Sequence, residues 1–200
     1  MKKTIFVILF ISLAILLNGQ DTNKVKEVGI TFTSLNNFGL TYRFGKEPSL
    51  WRINTIFISG NKYAETRDSV ENYHSSNGYA IKIGHEFRKE LKKDFWLRYG
   101  IDISFRYDKS KREYKHLNEV DPDYWYENIK YVPGINLIVG LNYIVNDNVL
   151  IGAELLPNIN WTFEDFNTDN PNQTSSKLTY TQINYGISNS SILLSIIYKL

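Results

Sequence analysis

The chain of 200 residues contains no cysteine, 42% hydrophobic residues, 14% aromatic residues and 22% charged residues. This composition fits one folded domain and excludes disulfides, cysteine-based zinc sites and a lipid-anchored cysteine. The 23 basic and 21 acidic residues give a net charge of +2, so the sequence offers no electrostatic basis for binding nucleic acid.

Residues 1–20 predict a secretory signal peptide. Two lysines follow Met1, residues 5–17 form an apolar run, and Gly19 and Gln20 precede a polar segment. The run is shorter than the about 20 apolar residues that a membrane-spanning helix needs. We therefore expect cleavage after Gly19 or Gln20 and export of a mature domain over residues 21–200.

Beyond the leader, apolar and polar residues alternate with a period of two, which is typical of β-strands with two different faces. In residues 95–107 every odd position is apolar or aromatic, whereas the even positions are mostly charged, polar or glycine. The alternation predicts eight strands, at residues 25–34, 38–46, 50–60, 78–88, 94–108, 130–145, 148–163 and 177–200.

The eighth predicted strand changes the parity of its apolar residues near its middle. A β-bulge at residues 188–191 would explain the change. Alternatively, Ser188–Ser190 forms a turn and the first two strands merge, which keeps eight strands but moves the C-terminus to the other end of the sheet. The sequence leaves both possibilities open.

Short and long connections alternate along the chain. Residues 45–49, 89–94 and 146–148 predict short turns. Residues 61–77, 108–130 and 164–176 are polar and rich in Asn, Asp, Ser and Lys, so we expect long loops there.

The composition of the polar face distinguishes a membrane barrel from a soluble one. This face consists of Gly, Asn, Ser and Thr with isolated charges of both signs, which suits a narrow lumen where charges must pair. We expect a structural network of lumenal charges at Lys82, Glu86, Arg98, Asp102, Arg106 and Glu154. Tyrosine and tryptophan collect at the ends of the apolar runs, as in interfacial girdles. The sequence thus predicts an all-β fold, an eight-stranded antiparallel up-and-down transmembrane β-barrel.

With its leader, eight alternating strands and alternating connections, the sequence resembles the small outer-membrane β-barrel proteins of Gram-negative bacteria. The terminal segment resembles the strand that the barrel-assembly machinery recognises, with alternating Ile196, Tyr198 and Leu200, although that family usually ends on Phe. The Asn-, Ile- and Lys-rich composition is similar to that of Bacteroidota proteins. The resemblance implies a porin-like cell-envelope protein in the outer membrane, with both termini in the periplasm and the long loops outside the cell.

Eight strands enclose an interior that side chains fill, so we expect no wide solute pore. The predicted role is structural or one of surface interaction through the extracellular loops, and the predicted protein is a monomer without a catalytic, cofactor or metal site. Outer-membrane lipid and lipopolysaccharide are the expected neighbours, and basic loop residues could bind lipopolysaccharide phosphates. The most distinctive candidate surface loop contains Lys111, Arg112, Lys115, Tyr124, Trp125 and Tyr126, and a further loop partner is possible on this basis.

Two alternatives belong to other functional classes. A lipid-A-modifying barrel enzyme, an acyl hydrolase or acyltransferase, would need a histidine paired with a serine and a carboxylate, and the chain offers His74, His85 and His116. A soluble exported lipocalin-like barrel would instead bind an apolar ligand in an apolar interior.

Overall fold

The computed structural model describes residues 24–34, 37–67, 70–117, 122–170, 173–187 and 191–200, so the predicted signal peptide lies outside the described residues. Almost all of this part of the chain is β-strand. The strands are β1 (Val25–Ser34), β2 (Asn37–Lys46), β3 (Ser49–Arg67), β4 (Val70–Lys92), β5 (Phe95–His116), β6 (Tyr124–Ile144), β7 (Val149–Leu155), β8 (Asn158–Asn170), β9 (Gln173–Gly186) and β10 (Ile192–Lys199). Among the described residues, no helix is long and apolar enough to cross a membrane.

Eight strands close into a ring in which every pairing is antiparallel. Their order is β5-β4-β3-β2-β1-β10-β7-β6, and β6 pairs with β5 to complete the ring. β8 continues the line of β7, because both strands pair with β6 in one unbroken register. β9 pairs with β8 in the same way that β10 pairs with β7. The fold is therefore the eight-stranded antiparallel up-and-down β-barrel that the alternation predicts.

The pairings of β9 and β10 decide between the two explanations of the parity change. Gly186 stands opposite Asn158 and Ile192 stands opposite Leu155, so five residues separate the paired positions in one chain segment and two separate them in the other. The three additional residues reverse the parity while β9 and β10 keep one direction. The turn alternative is wrong, since a turn would reverse the direction of the chain; residues 188–190 themselves lie outside the described residues.

One end of the barrel carries the short connections and both ends of the described chain, and we call it the short-turn end. Lys199 N donates to Asn148 O and Leu200 N donates to Lys26 O at this end. We call the opposite end the hairpin end. β1 and β2 are the shortest pair there, since each has only ten residues.

The barrel is apolar outside and polar inside. Ile103 is 71% exposed on the outer face, whereas Arg43, Arg52 and Arg98 are completely buried in the lumen. The lipocalin-like alternative is wrong, because an apolar ligand would find charged side chains inside this barrel. Among the described residues, buried apolar side chains occur at only a few lumenal positions, including the cluster Ile138, Leu156 and Leu193.

Aromatic side chains form two bands on the outer face. Near the short-turn end, Trp51 and Phe87 both contact His85, with ring centroids 5.1 Å and 4.9 Å apart. Nearer the hairpin end, Tyr107 lies between Tyr79 and Tyr131 at 5.4 Å and 5.5 Å. Two aromatic bands flanking an apolar zone are typical of barrels that cross a membrane.

The prediction of long loops is wrong. β3 and β4 stay paired as far as Arg67 and Val70, β5 and β6 as far as Tyr114 and Tyr124, and β8 and β9 as far as Asn170 and Gln173. These hairpins rise as sheet beyond the Tyr79–Tyr107–Tyr131 band. Both faces are polar or aromatic there, so no apolar alternation reveals the strands. We call these parts of six strands the hairpin platform. It consists of residues 61–67 of β3, 70–77 of β4, 108–116 of β5, 124–130 of β6, 164–170 of β8 and 173–180 of β9.

Candidate functional site

Charged side chains fill the lumen near the short-turn end. Each of them is at most 5% exposed, and together they contribute four positive and four negative charges. We call this group the ion cluster, and it consists of Glu27, Arg43, Arg52, Glu86, Arg88, Arg98, Asp102 and Glu154.

Arg52 on β3 bonds to carboxylates on other strands of the ring. Its Nε and Nη2 donate to the two carboxylate oxygens of Asp102 at 2.8 Å and 2.6 Å. Its Nη1 donates to Glu154 at 2.6 Å. Two-pronged bonds of this kind combine strength with a fixed geometry.

Arg88 and Arg98 join further strands of the ring. Arg88 on β4 donates to both carboxylate oxygens of Glu27 on β1, each at 2.7 Å. Arg98 on β5 donates to Glu86 on β4 and, at 2.8 Å, to Glu154 on β7. Because each buried charge has an opposite charge within bonding distance, the cluster avoids the large cost of an isolated buried ion.

The structure brings four of the predicted lumenal charges into the ion cluster: Glu86, Arg98, Asp102 and Glu154. Arg106 does not belong to it. Its side chain is 47% exposed and pairs with Asp108 at 2.7 Å, because its position on β5 lies nearer the hairpin end, where the lumen is open. Lys82 is buried but makes no ion pair with any described residue.

Sequence reasoning missed Glu27, Arg43, Arg52 and Arg88. Each of them occupies an inward-facing position, opposite in parity to the apolar residues of its own strand. That parity was available in the sequence and could have identified all four.

Glycine makes room for the ion cluster where two strands approach closely. A Cβ on Gly84 would lie 2.1 Å from Asp102 Oδ1, and a Cβ on Gly100 would lie 2.1 Å from His85 O. Both distances are far shorter than a nonbonded contact allows. A side chain at Gly84 would therefore displace the carboxylate that binds Arg52.

Between the ion cluster and the hairpin end, the lumen widens into a polar cavity of about 450 Å³ that opens toward the hairpin end. We call it the cup. Lys82 and Asn136 line its deep part, and they are 9% and 4% exposed. Arg106, Lys130 and Glu164 lie around it, and the Lys130 ammonium is 2.9 Å from Glu164. Most of the remaining lining is amide or hydroxyl, from Thr33, Ser104, Asn158, Asn160, Thr162, Gln182 and Asn184.

The residues of the predicted surface loop lie on paired strands of the hairpin platform. Lys111, Arg112 and Lys115 belong to β5, and Tyr124, Trp125 and Tyr126 belong to β6. They lie in strands because β5 and β6 pair continuously up to Tyr114 and Tyr124.

The two faces of the platform carry different chemistry. On the outer face the Lys111 ammonium lies 5.2 Å from the Trp125 ring, and the Lys115 ammonium lies 5.3 Å from the Tyr73 ring. On the inner face the Tyr114 and Tyr124 rings stack at 4.6 Å. Contacts between cations and aromatic rings, and between stacked tyrosines, hold these side chains in fixed positions on the exposed sheet.

Charges on the platform are partly paired. A hydrogen bond from Lys111 lowers the pKa of Glu113, and a hydrogen bond to Glu71 raises the pKa of Tyr73. Both shifts favour the state that each group already has at neutral pH. A shallow cleft of about 370 Å³ on this part of the platform is lined by Lys62, Tyr63, Ala64, Tyr73, His74, Ser75, Lys111, Glu113 and Lys115.

The three histidines do not form the catalytic arrangement of the enzyme hypothesis. His85 Nε2 is 2.8 Å from Ser49 Oγ, but this pair lies on the outer face near the short-turn end, and no described carboxylate bonds to either residue. His74 accepts a bond from Arg112 at 3.4 Å, and His116 Nδ1 lies 3.0 Å from Pro122 O. The described residues also contain no group of three or more His, Asp or Glu side chains that could hold a metal ion.

The closing strand places its apolar residues on the outer face. Ile196, Tyr198 and Leu200 are 54%, 50% and 55% exposed, and β10 pairs with β1 on one side and β7 on the other. β10 is therefore the strand that joins the two ends of the ring.

Comparisons with known proteins support the fold. No protein-family model and no curated protein matches the sequence. Among solved structures, a major outer-membrane protein from Thermus thermophilus aligns with a TM-score of 0.51 at 9% identity, over 88% of this chain and 99% of that chain. Ail, the attachment invasion locus protein of Yersinia pestis, aligns with a TM-score of 0.36 at 10% identity, over 88% and 97%. CarO of Acinetobacter baumannii aligns with a TM-score of 0.36 at 8% identity, over 91% and 99%. The first of these matches shows that this chain has the fold of an outer-membrane β-barrel.

Proposed function

We propose that this protein is a surface-interaction protein of the bacterial outer membrane, in which a filled barrel anchors the hairpin platform outside the cell. The proposal rests on the contrast between the membrane-spanning part of the barrel and the platform. The barrel half is closed by the ion cluster, whereas the platform is a paired sheet that presents cations and aromatic rings to solvent. The protein would act through its surface and not as a pore.

The outer face supports a membrane location. Its exposed apolar side chains lie between two aromatic bands, and this arrangement is favourable in lipid and unfavourable in water. In that membrane the predicted leader directs export, and the closing strand with Tyr198 is the segment for the barrel-assembly machinery. The composition supports a source in the Bacteroidota, and the closed ring supports a monomer.

Lipopolysaccharide is the partner that the platform fits best. Lys62, Lys111 and Lys115 line the same cleft, beyond the aromatic band that marks the membrane boundary. Lys111 has a carboxylate partner in Glu113, at 2.6 Å, whereas the structure gives Lys115 an aromatic contact and Lys62 no ion pair with a described residue. Lys62 and Lys115 are therefore the cations that can take phosphate groups without giving up an existing pair.

Binding of the folded protein to purified lipopolysaccharide tests this proposal. In the variant carrying Lys62→Gln and Lys115→Gln we expect about thirtyfold weaker binding, from about 1 kcal/mol for each lysine near an anionic lipid surface. The measurement is surface plasmon resonance with the protein in detergent.

The matched control carries Lys89→Gln and Lys93→Gln, which remove the same charge from exposed positions near the short-turn end. It should bind as the parent protein does. Equal loss of binding in both variants would mean that only net charge matters, and it would contradict a role for the platform.

A further inference from the structure

The cup contains a buried cation that the ion cluster does not neutralise. Lys82 is 9% exposed, and within the described residues it has no carboxylate within 4.0 Å. Asp102 lies diagonally across the β4–β5 pairing, but both of its oxygens already accept bonds from Arg52. Lys82 occupies an inward-facing position on β4, with Asn54 on β3 and Ser104 on β5 opposite it.

The charges around Lys82 balance without it. The four arginines of the ion cluster stand with four carboxylates, and the partly exposed Glu47 contacts Arg88 only from the short-turn side, at 3.7 Å. At the cup, Arg106 pairs with Asp108 and Lys130 pairs with Glu164. Lys82 therefore adds one uncompensated positive charge, which is costly in a buried place unless an anion binds beside it.

Buried amide groups near Lys82 also lack partners. Asn136 lines the cup, is 4% exposed, and its Nδ2 donates to no described residue. Asn54, opposite Lys82, is 1% exposed and neither of its amide atoms is hydrogen-bonded within the described structure. Buried polar groups are normally satisfied, so a cation and two unpaired amides on one lumenal wall indicate a ligand that accepts hydrogen bonds.

We propose that the cup binds a small hydroxylated oxyanion, a sugar acid or a sugar phosphate, with its anionic group on Lys82 and Asn136. The volume of about 450 Å³ is within the range of small-molecule sites. The hydroxyls of Ser104 and Thr162 and the amide of Gln182 can bond the hydroxyl groups of such a ligand. This proposal is independent of the platform and of its partner.

Isothermal titration of the folded full barrel in detergent tests the proposal with glucuronate, glucose 6-phosphate, inorganic phosphate and glucose. We expect at least one of the two sugar anions to bind at least tenfold more tightly than glucose and more tightly than inorganic phosphate. Comparison of glucuronate with glucose 6-phosphate distinguishes a carboxylate ligand from a phosphate ligand. Absence of binding by both sugar anions, or equal binding of glucose, would overturn the proposal.

Variants connect the binding to the cup. Lys82→Met keeps the length of the side chain and should weaken binding of the sugar anion at least tenfold, whereas Lys89→Met at an exposed position near the short-turn end should leave it unchanged. Asn136→Leu removes an amide from the cup without adding a charge opposite Asp102, so this variant should fold and should weaken binding of the sugar anion. Unchanged affinity in Lys82→Met or Asn136→Leu would overturn the assignment, and Asn136→Leu decides the matter if Lys82→Met fails to fold.

Discussion

At the scale of the residue, stability of the barrel depends on charges that are buried together. Arg52 joins β3 to Asp102 on β5 and to Glu154 on β7, so one side chain connects opposite walls of the lumen. A buried ion pair adds modestly to stability, but removal of one partner leaves an unpaired charge at high cost.

The Arg52→Met substitution should therefore lower the free energy of unfolding by about 3–5 kcal/mol, because Asp102 and Glu154 would lose their strongest bonds. The measurement is denaturant unfolding in detergent, followed by the difference in gel mobility between folded and boiled protein. Arg106→Met is the matched control, since it breaks the exposed pair with Asp108 and should change stability by at most about 1 kcal/mol. Equal effects of the two substitutions would contradict a stabilising ion cluster.

Half of the ion cluster is among the lumenal charges predicted from the sequence. Glu86, Arg98, Asp102 and Glu154 lie in segments with regular alternation, and their inward parity marks them as lumenal. The same parity includes Arg106, which the sequence cannot separate from the cluster because parity gives the face and not the depth along the barrel. Lys82 is a similar case, since only its surroundings reveal that it has no carboxylate partner.

At the scale of the element, the strands are longer than the membrane requires. A tilted crossing takes about 9–11 residues, whereas β4, β5 and β6 have 23, 22 and 21 residues. The alternation predicts the part inside the membrane, because one face must be apolar there. In the platform both faces meet water, so polar strands and polar loops have the same composition.

Because its strands are paired, the platform should show slow exchange of its backbone amide hydrogens. Amides in residues 109–114 and 124–130 belong to the paired strands β5 and β6, and we expect them to exchange at least tenfold more slowly than those of the turn at residues 93–94. Exchange measured by mass spectrometry on the folded protein provides the comparison. Exchange in the platform as fast as in the turn would mean that these segments are loops in solution.

At the scale of the whole molecule, the barrel lies between the short-turn end and the hairpin platform. The ring, the inward charges and the outer aromatic bands all follow from the alternation, and the sequence predicted them. The platform and the cup depend on how far each strand continues and on which charges remain unpaired. Those features come from the register of long-range pairings, which one sequence does not specify.

The orientation of this molecule in the outer membrane is most directly tested by labelling single cysteines on intact cells with a membrane-impermeant maleimide. The chain has no cysteine of its own, so Thr66→Cys in the platform and Asp147→Cys in a short turn each give one exposed reactive group. We expect Thr66→Cys to be labelled on intact cells and Asp147→Cys to be labelled only after the outer membrane is opened. Labelling of Asp147→Cys on intact cells, or protection of Thr66→Cys, would contradict a membrane-spanning barrel that holds its platform outside the cell.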